Sequence, residues 1–567
     1  MTAAAGQMSP GDVKFMRIGL RGAAFGACLL LLAACAAQRR PPPSTDIDED
    51  AFREHVRTLA SDAFEGRKPN TPGETKTVDY LLDQFRRLNL KPGNGTSYLQ
   101  QVPMVELLPT AVPSLVVAGH GASRTLAYKT DMVIWSKLAQ PDSALRNSEM
   151  VFVGYGIVAP EYGWNDYAGV DVHGKTVVVL VNDPGHVSDD PNVFKGRTMT
   201  YFGRWTYKVE EAARQGASGV LLIHDAEAAS YGWDVVLSSW TGAQLDMDRA
   251  DGNSGRAAIE GWISAAAARA LFAQAGLDFS SLTAGAAHAG FKAVPMGLTA
   301  AAEVHAAIRR FTSPNVIAIL PGKSRRREYI LYTAHWDHLG RSDGPNGGEI
   351  FHGAVDNASG VAGLLVLAQS FVRTRPAPDR SIVFLALTGE ESGLLGSQYY
   401  VDNPIYPLAS TVADINMDAL HIGGPTRDVT VIGFGQSELE GFLRDAAALQ
   451  GRELHAEPRP ENGDYFRSDN LSFAKAGVPS LYAVGGIDDA ARGPAWGQAA
   501  LDDYNAHRYH QPADGYSPDW DVRGTVMDLR LYYRVGLRLA QTRRFPNWYS
   551  NSEYRAARER SREGMTD

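Results

Sequence analysis

Five short segments carry residues of the kinds that hold metal ions: His335-Trp336-Asp337, Gly353-Ala354-Val355-Asp356-Asn357, Glu390-Glu391, Asn416-Met417-Asp418 and Tyr509-His510. Imidazole nitrogens and carboxylate oxygens are the donors that suit catalytic zinc. Asp356 lies between glycines and a helix start. Its carboxylate can bridge two ions there, and metals about 3.5–4 Å apart clamp attacking and carbonyl oxygens together. The adjacent pair Glu390-Glu391 offers a ligand and a general base at once. Asp337, two residues after His335, can accept a hydrogen bond from the imidazole and orient it. Asp418 follows a buried run, where a lone carboxylate needs a cation or a metal. The chemistry this set supports is metal-assisted hydrolysis. Taken singly, Asp356, Glu390 and Glu391 read equally well as carboxylates favoured by a helix dipole; the full constellation argues against that.

The surrounding elements put these groups in one place. Residues 300–545 alternate strands and helices. Strands are expected at Tyr329–Thr333, Ile382–Leu387, Val412–Met417, Val429–Phe434 and Ser480–Val484. Helices are expected at Ser359–Val372, Gly393–Val401, Glu438–Leu449 and Thr525–Gln541. Alternation of this kind implies a mainly parallel sheet covered by helices on both faces. Such sheets bind ligands beyond the carboxyl ends of their strands, which is where His335, Asp337, Glu390, Glu391 and Asp418 fall. Residues 46–100 look helical, with apolar spacing over Asp50–Leu59 and Thr75–Leu88. Residues 136–298 differ in texture, with strand-like runs at Val151–Val158, Thr176–Val181 and Gly219–His224 and a helix over Tyr207–Gln215. They hold none of the candidate ligands and are expected to form a separate inserted domain. Trp164, Trp205, Trp233 and Trp240 in that stretch are expected in a core or an interface.

The chain has 567 residues, 44% hydrophobic, with a formal net charge of −9. That length exceeds one ordinary domain, and neither the charge nor any basic run supports nucleic-acid binding. Lys14, Arg17 and Arg21 precede an apolar stretch, Ala23–Ala34, too short to span a bilayer. It ends in Leu32-Ala33-Ala34-Cys35, which resembles a bacterial lipobox; Ala36 follows, and Arg39–Thr45 reads as a stiff tether. The expectation is an exported protein held at the outer membrane, facing the periplasm, by a lipid on Cys35. Cys28 and Cys35 are the two cysteines of the chain, so the remainder has neither a disulfide nor a thiolate metal site.

The segments resemble the co-catalytic di-zinc aminopeptidase family, which includes bacterial leucyl aminopeptidases and is related to glutamate carboxypeptidase and the transferrin receptor. The resemblance rests on His335-Trp336-Asp337-His338-Leu339-Gly340, Asp356-Asn357-Ala358-Ser359-Gly360, Thr388-Gly389-Glu390-Glu391-Ser392-Gly393 and Ile415-Asn416-Met417-Asp418, with the late His510. Phe64-Glu65-Gly66-Arg67 resembles the start of that catalytic domain. Residues 136–298 resemble a protease-associated domain. The implied division is a signal peptide at 1–35, a tether at 36–45, catalytic parts at 46–135 and 299–545 around the insert, and a polar tail at 546–567. The resemblance implies two zinc ions, one on His335, Asp356 and Asp418 and the other on Asp356, Glu391 and His510. It makes Glu390 the base toward a metal-bridging water, with Asp337 in support. The implied substrates are peptides with a free N-terminus.

Two positions depart from the family pattern: Asn470, where relatives often carry His beside the substrate pocket, and the apolar Val355. His338, His352 and His421 are expected to support the site rather than to bind metal. Gly340-Arg341-Ser342-Asp343-Gly344 fits a serine-hydrolase pattern, but a Gly/Pro/Asn loop follows it instead of a helix. No H-E-x-x-H occurs. The competing functions are a glutaminyl-cyclase-like acyltransferase and a catalytically inactive binding homologue; the retained ligands argue against both.

Overall fold

The computed structural model describes residues 46–188, 190–342 and 348–565. The signal-like segment, the lipobox at Cys35 and the tether lie outside the described residues.

The sheet that carries the candidate ligands is mixed. Its centre is four adjacent strands, Arg380–Leu387, Arg325–His335, Thr411–Asn416 and Ser480–Gly485, each parallel to the next. Ser480–Gly485 pairs antiparallel with Asp428–Ile432, and that strand parallel with Glu453–Ala456. On the other side Arg380–Leu387 pairs antiparallel with a long strand, Val294–Leu320, which in turn pairs with Leu99–Pro109. The central strands carry apolar residues toward both faces because both faces are covered. Alternate residues go to opposite sides, as a period of two requires. Ile330, Tyr332, Ala334, Ile382, Phe384 and Ala386 pack with the helices Glu49–Leu59, Gly360–Arg373 and Arg523–Gln541. Leu331, Val383, Leu385 and Leu387 pack with Tyr400 and Phe473 on the other face. The apolar helix Gly360–Arg373 is therefore a core helix, started by Asn357, whose side-chain oxygen accepts the Gly360 N–H at 2.9 Å.

A second mixed sheet runs in the order Ser114–Gly119, the first half of Val294–Leu320, Asp142–Phe152, Thr176–Leu180, Gly219–Ile223, Ile259–Ile263 and Met132–Trp135. It has its own cores on its two faces, one around Val178, Leu221 and Phe272, the other around Val179, Val220 and Trp262. Three features differ from the sequence expectations. The second sheet begins at Ser114, ahead of the expected 136. The strand Val294–Leu320 runs unbroken through 298 and belongs to both sheets. The expected strand over Val151–Val158 stops at Phe152, because Gly154 and Gly156 turn the chain with φ of 58° and 60°.

One turn near the N-terminus has a strict steric requirement. Glu65, Gly66 and Arg67 all have left-handed backbones, with φ of 49°, 69° and 55°. A Cβ on Gly66 would collide with the main-chain oxygens of Gly340 and Phe351. Gly66→Ala is expected to lower the unfolding free energy by about 2 kcal/mol or more, read from urea denaturation midpoints. An unchanged midpoint would show that the turn relaxes.

Candidate metal centre

The sheet delivers the candidate ligands from strand ends. His335 is the last residue of Arg325–His335. Glu390 and Glu391 follow Leu387 after a turn at Gly389, whose φ is 66°. Asp418 comes two residues after Asn416, its carbonyl accepting the Tyr482 hydroxyl at 3.2 Å. Asp356 sits in the irregular turn Ala354–Ser359 ahead of the core helix, and the Asp356–Asn357 peptide bond is cis. His510, with a left-handed backbone at φ 55°, follows the helix Pro494–His507 and stacks on Tyr509 at 4.0 Å.

Asp356 joins the two imidazoles. One of its carboxylate oxygens is 3.3 Å from His335 Nε2 and the other is 3.2 Å from His510 Nε2. His335 Nε2 is also 3.3 Å from Asp418 Oδ1, and His510 Nε2 is 3.1 Å from Glu391 Oε2. Metal-ligand bonds of about 2.0–2.1 Å in a tetrahedron put neighbouring donors roughly 3.3 Å apart. The donor spacing thus fits two zinc-sized ions sharing Asp356. His335, Asp356 and Glu391 converge within 4.8 Å of one another, as do His335, Glu390 and Asp418. The clusters of that size omit His510; its two direct separations of 3.2 and 3.1 Å place it in the centre all the same.

The electrostatics follow from burial and crowding. Burial works against a charged His335, but Asp418, Glu390 and Asp356 outweigh it and hold the imidazole well above its ordinary range. Burial likewise opposes charge on His510, which Glu391 and Asp356 raise. Glu391 is pushed down to about 2, the imidazoles of His510 and His338 overcoming burial. Glu390 goes the other way. Burial raises it well above the carboxylate range, and Glu391 and Asp418 add to that against the pull of His335. The two adjacent carboxylates are thus pushed in opposite directions, Glu391 down and Glu390 up.

The supporting contacts differ in part from those expected. The His335 imidazole Nδ1–H donates to the main-chain oxygen of Asp337 at 3.1 Å. The Asp337 carboxylate lies 3.9 Å from that nitrogen and instead accepts the Glu390 N–H at 3.2 Å. The loop turns the carboxylate toward the next strand end, so Asp337 fixes Glu390 more directly than His335. His338 Nδ1 is 2.5 Å from Glu391 Oε1, while His352 is engaged by Asp62 at 2.9 Å. Asn470 is fully buried, and its amide donates to the Tyr465 carbonyl at 3.0 Å, behind the wall of the cavity rather than in it. Ser342 accepts the Glu349 N–H through its hydroxyl. Asp514, four residues after His510, fixes Asp356. Its carboxylate accepts the N–H groups of Val355 and Asp356, each at 3.1 Å.

The centre opens into a cavity of about 1180 Å³ lined by Asp356, Glu390, Glu391, Asp418 and His510 and, from the second sheet's layer, by Arg204, Trp205, Tyr231, Ser239 and Trp240. Trp205 and Trp240 pack edge to face at 4.8 Å and so serve both a core and the cavity wall. Trp164 is buried in the second layer.

Residues 315–533 match the family model described as Peptidase family M28. An aminopeptidase NAALADL1 from Mus musculus is 34% identical over 129 residues, 22% of this chain and 16% of that protein. A probable zinc metalloprotease from Pyrenophora teres f. teres is 38% identical over 103 residues, 18% of this chain and 22% of that protein. The chain thus spans no more than 22% of either of these curated relatives. The solved aminopeptidase from Aneurinibacillus sp. strain AM-1 aligns over 87% of this chain and 94% of its own, with 19% identity and a TM-score of 0.50, and shares the fold. The matched segment contains every candidate ligand from His335 to His510, and the likeness to peptidase family M28 is carried by that segment.

Proposed function

We propose that the protein is a di-zinc aminopeptidase that removes N-terminal residues from short peptides. The observation that carries the reading is the Asp356 carboxylate, with one oxygen turned to His335 and the other to His510. His335, Asp356 and Asp418 would hold one ion, and Asp356, Glu391 and His510 the other. Bound there, zinc would polarise the scissile carbonyl and acidify water. Glu390, facing the cavity beside these ligands, takes a proton from the attacking water and returns it to the departing amine. Asp337, through the Glu390 N–H, keeps that carboxylate in place. The cavity exceeds the roughly 300–1,000 Å³ usual for small-molecule sites, and Trp205, Tyr231 and Trp240 wall it on one side. That favours one end of a short peptide over the middle of a long chain. The layer that supplies this wall is read as a protease-associated domain.

The test is zinc analysis paired with assays on amino-acid anilides and on peptides with free and with acetylated N-termini. The expected result is about two zinc ions per chain and release from free N-termini alone. Chelation should abolish turnover and added zinc should restore it. Equal cleavage of acetylated peptides would overturn the N-terminal specificity, and absence of metal from active protein would overturn the mechanism.

A further inference from the structure

Two contacts pass from the second layer into the metal centre, and both land on the same half of it. Ser239, in the helix Trp233–Trp240, places its hydroxyl 2.9 Å from His510 Nδ1. Lys137, 4% exposed, donates from Nζ to the main-chain oxygen of Ser392 at 3.1 Å, one residue beyond Glu391. The same ammonium lies 5.3 Å from the Trp240 ring centroid, next to Ser239, so the two contacts form one knot. Beside it the Gln511 amide donates to Asp234 at 3.1 Å.

The other half is held from within the catalytic sheet. His335 is anchored by the Asp337 carbonyl in its own loop, and the Asp418 carbonyl by Tyr482 of a neighbouring strand. Asp356, shared by both halves, is fixed by Asp514.

The chemistry of the imidazole gives this asymmetry a consequence. His510 can offer Nε2 to a metal only if its ring proton sits on Nδ1, and that N–H needs an acceptor. Ser239 Oγ is the acceptor. A partner of this kind fixes both the tautomer and the ring orientation of a ligand histidine. We propose that the second layer completes one of the two metal sites. Ser239 and Lys137 are positioning residues for the site formed by Asp356, Glu391 and His510, while the site formed by His335, Asp356 and Asp418 depends on the catalytic sheet alone. This rests on the two-zinc reading above.

The test is titration of the metal-free full chain with zinc against a chromophoric chelator, with cobalt as a spectroscopic probe. Wild type should show two binding steps. In Ser239→Ala, one step should weaken about 10–100-fold and the other change by less than about 2-fold. Lys137→Met should weaken the same step. Ser239→Thr keeps a hydroxyl and should restore much of the affinity, which a general loss of folding would not allow. Ser238→Ala is the control, since that hydroxyl bonds to the Val235 carbonyl at 3.2 Å; both of its steps should match wild type. Two unchanged steps in Ser239→Ala, or two steps weakened together, would overturn the proposal while leaving the two-zinc reading intact. A wild-type protein that takes up a single zinc would overturn both.

Discussion

Replacement of Glu390 by Gln should cut kcat/KM on an amino-acid anilide by about 10²- to 10⁴-fold, the usual contribution of a general base. Zinc content should not change. Both parts follow from the geometry. The ligand oxygens and nitrogens pair off without Glu390, whose Oε2 is 4.0 Å from His335 Nε2 against 3.3 Å for Asp356 and Asp418. Its side chain is nevertheless in the cavity wall, and burial among carboxylates raises its proton affinity. Gln keeps the size and loses the basicity. Glu390→Asp keeps the basicity but withdraws it by one methylene, so it should retain more activity than Glu390→Gln and less than wild type. If Glu390→Gln lost metal in step with activity, Glu390 would be a ligand and the assignment of the base would fall.

Replacement of Arg67 by Met should lower the unfolding free energy by about 3–5 kcal/mol, the scale for breaking a buried charged network. The Arg67 guanidinium is 1% exposed and donates to four main-chain carbonyls. These are Trp336 at 3.0 Å, Leu59 at 2.8 Å, His352 at 2.6 Å and Gly353 at 2.8 Å. Methionine fills the volume but strands these buried oxygens. Burial pulls the guanidinium down to about 10, while Asp514, Asp356, Asp337 and Glu391 favour its charge. It is thus also the fixed cation beneath the acidic centre. Arg67→Lys keeps the charge but cannot reach all four carbonyls, and should fall between Arg67→Met and wild type. Denaturation with and without zinc measures both contributions. A loss under about 1 kcal/mol would mean that water replaces the guanidinium.

The candidate ligands His335, Asp356, Glu391 and Asp418 were legible in the sequence because they lie beyond the end of an apolar strand or ahead of an apolar helix, whereas His510 follows a helix without such a signal and rested on the resemblance. The central strands were legible for the same reason. The long strand Val294–Leu320 was not. Its buried positions alternate correctly through Met296, Leu298, Ala300, Ala302, Val304 and Ala306, but three of the six are alanines and the hydrophobic contrast is faint. The helix Pro494–His507 escaped notice because it buries little beyond Gly497, so its sequence carries no apolar stripe. The partner of His510 was beyond reach for another reason. Ser239 lies 271 positions away, and nothing about an isolated serine marks it. Asp337 illustrates a finer limit: spacing put it beside His335, but only the course of the loop decides whether carbonyl or carboxylate faces the ring.

The strand Val294–Leu320 also sets how the molecule can move. Its 27 residues extend up to roughly 90 Å at about 3.3 Å each, with one half hydrogen-bonded into each sheet. Hinge closure needs a few residues free to absorb large backbone rotations, and a paired rod offers few. The two layers behave as the tines of a fork on one stem. Their spacing is fixed at the stem, where the shared strand is paired into both sheets. The same stiffness lets a hydroxyl from one tine stay within bonding distance of an imidazole on the other.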